Sequence, residues 1–99
     1  MSDYWITFRL EANSSYEKRY DALYEAARSN ATKWWIEPTS FIAMRSNLTI
    51  DALGQKLKSA IDASKDLILM REIGVKDSRY AGVISDEDFF NFFPDAKKL

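Results

Sequence analysis

Apolar residues along the chain alternate, then recur at helical spacing, then alternate again, and this succession of periods sets the expected fold. In Tyr4–Leu10 the side chains of Tyr4, Ile6, Phe8 and Leu10 share one face and those of Trp5, Thr7 and Arg9 the other, the period of two of a half-buried strand. Ser14-Ser15-Tyr16-Glu17 fits a helix capping box. Tyr16, Tyr20, Leu23 and Ala27 then follow at helical spacing, with Glu17, Lys18, Asp21, Glu25 and Arg28 mainly elsewhere on the wheel, and Asn30 is placed to end the helix. Lys33–Glu37, carrying Trp34, Trp35 and Ile36, predicts a short strand closed by Pro38. Ser40–Arg45 predicts its hairpin partner across the brief Pro38-Thr39 break.

A second helix follows, capped by Asn47 or Thr49, with a stripe of Ile50, Leu53, Leu57 and Ile61 and with Ala60 beside it. Gly54 weakens it by about 1 kcal/mol relative to alanine. Asp66–Ile73 predicts the fourth strand. Its unbroken Leu67-Ile68-Leu69-Met70 run asks for burial on both faces, yet a fourth strand in this order lies at a sheet edge, and dimerisation reconciles the two. Gly74–Tyr80 reads as a polar loop and Ala81–Ile84 as a short fifth strand. Ser85 to Asp88 is a further capping signal, opening a brief helix with Phe89, Phe90, Phe92 and Phe93 that Pro94 stops, and Asp95–Leu99 reads as a frayed tail.

The order strand, helix, strand, strand, helix, strand predicts one α+β domain over residues 1–99. The expected form is a ferredoxin-like β-α-β-β-α-β antiparallel sheet with two helices on one face, plus a C-terminal short strand and helix. The sheet's other face is then open. Trp5, Thr7 and Arg9 point toward it, joined on the third strand either by Phe41, Ala43 and Arg45 or by Ile42 and Met44, and by one of Trp34 and Trp35. Trp5, Thr7, Trp34 and Phe41 are the expected partner-facing residues. Three occupants fit such a face: a second copy of the chain, stacked nucleic-acid bases, or the chain's own C-terminal phenylalanines.

Composition narrows the chemistry. With 14 Lys+Arg against 15 Asp+Glu the net charge is −1, so no global field draws the protein to nucleic acid or acidic lipid, and a nucleic-acid site would need a local basic patch. The chain has no cysteine and no histidine, which excludes disulfides, thiolate or imidazole metal sites and Ser-His chemistry within this chain. Catalysis would rest on carboxylates, lysine, tyrosine or an oxygen-ligated metal. The three glycines form no phosphate-cradling loop, and Asp62, Asp66 and Asp77 lack metal-loop spacing. Asp86, Glu87 and Asp88 suit a helix start, where they meet the positive end of its dipole, and Lys97-Lys98 is a pair of tail charges. With no apolar run of about 20 residues and no signal-like start, the chain reads as a cytoplasmic protein with no membrane association.

Tyr4-Trp5-Ile6-Thr7-Phe8-Arg9-Leu10 resembles the first strand of SinR-like proteins and of the small CRISPR-associated adaptation nucleases, which reads roughly Y-L-I-T-Y-D-L. The likeness extends through the tyrosine-rich helix, Lys33-Trp34-Trp35, Asn47-Leu48-Thr49, the Asp66–Met70 strand, the Tyr80-Ala81-Gly82 turn and the acidic-aromatic end, most of the chain. The resemblance implies a ferredoxin-like homodimer. Some members use an aspartate at the end of the first strand of each protomer to hold magnesium and cleave nucleic acid. Here that position is Arg9, which cannot ligate a cation and suits phosphate binding instead. The expectation is therefore a homodimeric binding or scaffolding protein with no catalytic residue and no cofactor. Nucleic acid is the partner the resemblance implies, held by Arg9, Lys33 and Arg45, and another protein is the partner the charge balance implies. The alternative is a metal-dependent endoribonuclease in which Glu11 takes the aspartate's role.

Overall fold

The computed structural model describes residues 1–74 and 77–99. Its elements are β1 (Ser2–Arg9), α1 (Tyr16–Ser29), β2 (Lys33–Trp35), β3 (Phe41–Ser46), α2 (Ile50–Lys58), β4 (Leu67–Glu72), β5 (Arg79–Tyr80), α3 (Phe89–Phe92) and β6 (Lys97–Lys98). The first four strands form one antiparallel sheet in the order β2-β3-β1-β4. This small α+β arrangement, with helices packed on a four-stranded sheet, is compatible with the ferredoxin-like expectation. A third helix and a second, two-stranded sheet are additions to that pattern.

The two-residue period of β1 sorts the molecule into layers. Tyr4, Ile6, Phe8 and Leu10 are buried with Ile42 and Met44 of β3 beneath Leu23 and Ala27 of α1 and Leu53 and Leu57 of α2. Truncating the leucines or isoleucines among them to alanine would open a cavity, at about 2–5 kcal/mol each. The pairs Trp5↔Ala43 and Thr7↔Phe41 place the odd residues of β1 and β3 on the other face, which resolves the open register of the third strand in favour of Phe41, Ala43 and Arg45. The same alternation turns Trp35 outward. Trp34 packs instead on the helix side, edge-on to Tyr24 at 6.4 Å between ring centroids, so it does not belong to the expected partner face.

Several local expectations need correction. Ser15, not Ser14, precedes α1, and its side chain makes no capping bond; Asn13 Oδ1 accepts from the Ser15 N–H and hydroxyl instead. With the helix beginning one residue later than the Ser14–Glu17 spacing requires, the capping box does not form, and the Ser15 hydroxyl accepts from Arg19 Nε at 3.0 Å. Thr49, rather than Asn47, caps α2 and accepts from the Ala52 N–H at 3.2 Å. Ile50, the first residue of α2, lies on the side of the stripe but is 41% exposed at the helix end. The link between β2 and β3 is longer than a tight hairpin turn, running from 36 to 40, and Ser40 adopts φ 56, a left-handed conformation uncommon for a residue with a Cβ.

The C-terminal third differs most. The short fifth strand is Arg79–Tyr80, not Ala81–Ile84, and the supposed frayed tail is ordered against it: β5 and β6 pair in parallel, and Leu99 N–H donates to the Tyr80 carbonyl at 2.9 Å. Residues 75 and 76 of the polar loop lie outside the described residues. The Ser85–Asp88 capping signal is not used by its own side chains. Glu37, from the β2–β3 link, accepts the N–H groups of Ser85 and Asp86, and Asp86 accepts that of Asp88. These amide donors hold the Glu37 carboxyl below its ordinary value, Ser85 contributing most.

Candidate functional site

The outward face of the sheet is half covered by the chain itself. Trp35 and Ala43 are buried there against Phe89 and Phe92, with Phe41, Ile73, Tyr80, Ile84 and Phe93 packed around them. Trp35 meets Phe89 edge-on at 4.9 Å and Phe89 stacks on Phe93 at 5.1 Å, geometries that add to simple area burial. Of the three occupants considered for this face, the C-terminal phenylalanines therefore take the β2–β3 side.

The β1–β4 corner stays open. Cross-strand pairing brings Thr7 beside Leu69 and Arg9 beside Leu67, with Trp5 beside Arg71 one step further along. Leu67 and Leu69 are 54% and 55% exposed, although they stand in the middle of the chain's most apolar segment. Ile68 and Met70 point the other way, partly buried on the helix side. The run Leu67-Ile68-Leu69-Met70 is thus covered on one face only, and the expected burial on both faces is not met within one chain. Between the covered and open halves lies a groove of about 580 Å³ lined by Thr7, Phe41, Phe93 and Arg79 among others.

The expected nucleic-acid residues do not come together. Lys33 and Arg45 are cross-strand neighbours at one end of the sheet, and Arg45 is paired with Asp3, Nε to Oδ1 at 2.7 Å. Arg9 stands at the other end of β1. It lies six positions from Asp3, roughly 20 Å at about 3.3 Å per residue. Arg9 is exposed, and among the described residues neither it nor Arg71 has an ion-pair partner. On the β1–β4 corner of that face, the basic residue that stands with Arg9 among the described residues is Arg71, which the sequence reading did not single out.

Glu11, the alternative metal ligand, is exposed just past β1. Among the described residues no group of three or more Asp, Glu, His or Cys side chains is placed to hold a metal ion. The Glu11 main chain is held by a network that sequence reasoning missed. Asp66 accepts from the Glu11 N–H at 2.8 Å and the Asp62 N–H at 2.9 Å, and pairs with the Arg19 guanidinium. Arg19 also donates to the Glu11 carbonyl at 2.8 Å, the Asn13 side chain at 2.7 Å and the Ser15 hydroxyl at 3.0 Å. One signal was available: Arg19 lies four residues before Leu23, on the apolar stripe, where a lone charge needs a partner. Asp66, just before β4, is that partner.

Tyrosine chemistry has little support. Burial, with Tyr20 next, pushes the Tyr24 phenol well above its ordinary value, away from the range of a general base. Among the described residues no buried side-chain polar atom lacks a hydrogen-bond partner, so the interior presents no group awaiting a ligand. No helix among them is long and apolar enough to cross a membrane.

No family model matches this chain, and no curated protein matches it.

Proposed function

We propose that this domain is a non-catalytic homodimeric binding module, built on a ferredoxin-like sheet of the kind found in SinR-like and adaptation-nuclease proteins. The observation that carries the dimer is the pair of more than half-exposed leucines, Leu67 and Leu69, on a strand that has no neighbour on its outer side among the described residues. Apolar residues in such a position favour a protein surface as their complement. The strand order β2-β3-β1-β4, with α1 and α2 on the same face, supports the ferredoxin-like reading. The exposed Arg9 at the end of β1 supports a module without metal-dependent cleavage, because a guanidinium has no lone pair to offer a cation. A protein partner is favoured over nucleic acid because Arg9 is far from Lys33 and Arg45, and Arg45 is already paired.

Two measurements test this. Light scattering at tens of micromolar should give twice the chain mass, and a monomer mass refutes the dimer. Labelled single-stranded RNA and duplex DNA, incubated with the protein and magnesium or manganese, should remain intact on a denaturing gel. Metal-dependent cleavage that is lost in Glu11→Ala would establish the endoribonuclease alternative instead.

A further inference from the structure

The free edge of β4 specifies how two copies meet. Ile73 N–H donates to the Asp3 carbonyl at 2.8 Å, and on the opposite side of β1 Phe8 N–H donates to the Ser40 carbonyl at 3.2 Å. In an antiparallel sheet the N–H and C=O of one residue point to the same side, and successive residues alternate. The odd residues of β4 therefore bond to β1. The N–H and C=O groups of Ile68, Met70 and Glu72 point to the free edge, where the sheet order places no further strand.

Most exposed edges carry a defence against pairing: a short strand, a lysine, a proline or a bulge. The other edge of this sheet has three of these: β2 is only three residues long, carries the exposed Lys33, and is followed by Pro38. The six-residue β4 carries no charge before Arg71. The geometry points to β4 of a second copy as the occupant, paired antiparallel across a two-fold axis through Leu69 so that the two sheets run on as one sheet of eight strands. This rests on the homodimer reading above and gives it a geometry.

The register follows from two requirements. Side chains facing each other must lie on the same face of the joined sheet, so even residues meet even and odd meet odd. Hydrogen-bonded pairs must be formed by residues whose main-chain groups point outward, which are the even ones. With Leu69 on the axis, Ile68 exchanges hydrogen bonds with the partner's Met70 on the helix side. On the outer face Leu69 meets the partner's Leu69, and Leu67 lies against the stem of the partner's Arg71. A shift of the axis to Ile68 sets Arg71 against the partner's Lys65, two like charges, and a shift to Met70 sets Leu69 against the partner's Arg71 and Ile68 against the partner's Glu72. The Ile68-centred register would also keep Leu67 on the partner's Leu69, and the Leu69-centred one has a like-charged pair of its own, Asp66 facing the partner's Glu72; but Asp66 is buried and already neutralised by Arg19, whereas Arg71 and Lys65 have no ion-pair partner among the described residues. The Leu69-centred register is thus the one without an uncompensated like-charge pair, and this self-complementarity favours a second copy over an unrelated strand. It also aligns Arg9 and Leu67 of one copy with Arg71 and Trp5 of the other in a single row across the joined outer face.

Because the chain has no cysteine, single-cysteine variants report the register on a clean background. In a non-hydrogen-bonded antiparallel pair the Cα atoms stand about 4.5 Å apart, within disulfide range. Leu69→Cys should cross-link to itself under mild oxidation, roughly tenfold or more faster than Leu67→Cys, whose two copies sit about 13 Å apart along the strands. Mixing Leu67→Cys with Arg71→Cys should restore cross-linking. A dimer mass with no preferential Leu69→Cys cross-link overturns this geometry and leaves the homodimer standing on another face. A monomer mass for the unmodified chain overturns both, and leaves the edge to a foreign strand.

Discussion

Arg19 and Asp66 are charged residues almost removed from solvent, with side-chain exposures of 11% and 0%. Burial is the largest single influence on Asp66 and by itself would raise its carboxyl. The Glu11 N–H, the Arg19 guanidinium and the Asp62 N–H together outweigh it, so the group titrates below its ordinary value. A depressed carboxyl contributes stability that is fully present above its unfolded-state value near 4 and is lost as pH falls through the lower folded value. Asp66→Ala leaves Arg19 buried without its counter-charge and should lower unfolding free energy at pH 7 by about 3 kcal/mol. Urea titrations of both proteins at pH 7 and pH 3 check this, and the gap should narrow at the lower pH. A loss under about 1 kcal/mol, or one independent of pH, would mean that the network is ornamental to the fold. The chain has no histidine, so no side chain with an ordinary titration between pH 5 and 8 is present to disturb stability there.

At the scale of elements, the C-terminal segment behaves as a lid that belongs to the domain. Phe89 is buried against Trp35, Phe93 and Tyr80 from three directions, although α3 is only four residues long. So short a helix has no stability of its own and depends on that packing and on Glu37 at its start. Phe89→Ala should therefore cost about 3 kcal/mol in unfolding free energy through the cavity it leaves. A cost below 1 kcal/mol, measured by urea denaturation, would show that the segment does not rest on the sheet. At α2 a different freedom exists. A Cβ on Gly54 would reach 3.4 Å from Met70 Sδ, ordinary contact with the flexible end of a side chain. Gly54→Ala should raise stability by about 0.5–1 kcal/mol, and a thermal midpoint that falls instead would reveal no slack between α2 and β4.

For the whole molecule, the decisive feature is that one half of a sheet face is covered from within and the other is not. The covering segment satisfies Trp35, Ala43 and Phe41, and leaves Leu67 and Leu69 for another surface. Leu69→Lys places a charge at the centre of the free edge without touching the core. It should render the protein monomeric where the unmodified chain is a dimer, while changing unfolding free energy of the monomer by no more than about 0.5 kcal/mol. Sedimentation at several concentrations reads the first effect and urea denaturation the second. A variant that remains dimeric would exclude the edge as the contact.

The core was legible because periodicity is a local property. The alternation of Tyr4, Ile6, Phe8 and Leu10, the spacing of Leu23 and Ala27, and that of Leu53 and Leu57 each determine a buried face before any partner is known. Arg9 at the end of the first strand was equally visible, as was the tension in the Leu67–Met70 run. What periodicity cannot carry is the pairing of distant segments. Which of Trp34 and Trp35 faces outward depends on the β2–β3 register, and the use of Glu37 as the cap for residues 85 and 86 joins positions 48 and 49 apart. The Arg19–Asp66 pair spans 47 positions in the same way. The open corner exists only because a tail of phenylalanines folds back over the neighbouring strands and stops short of β4. The local code determined which residues must be buried, and the tertiary structure decided what buries them, because burial is set by each residue's own chemistry while contact is set by the path of the whole chain.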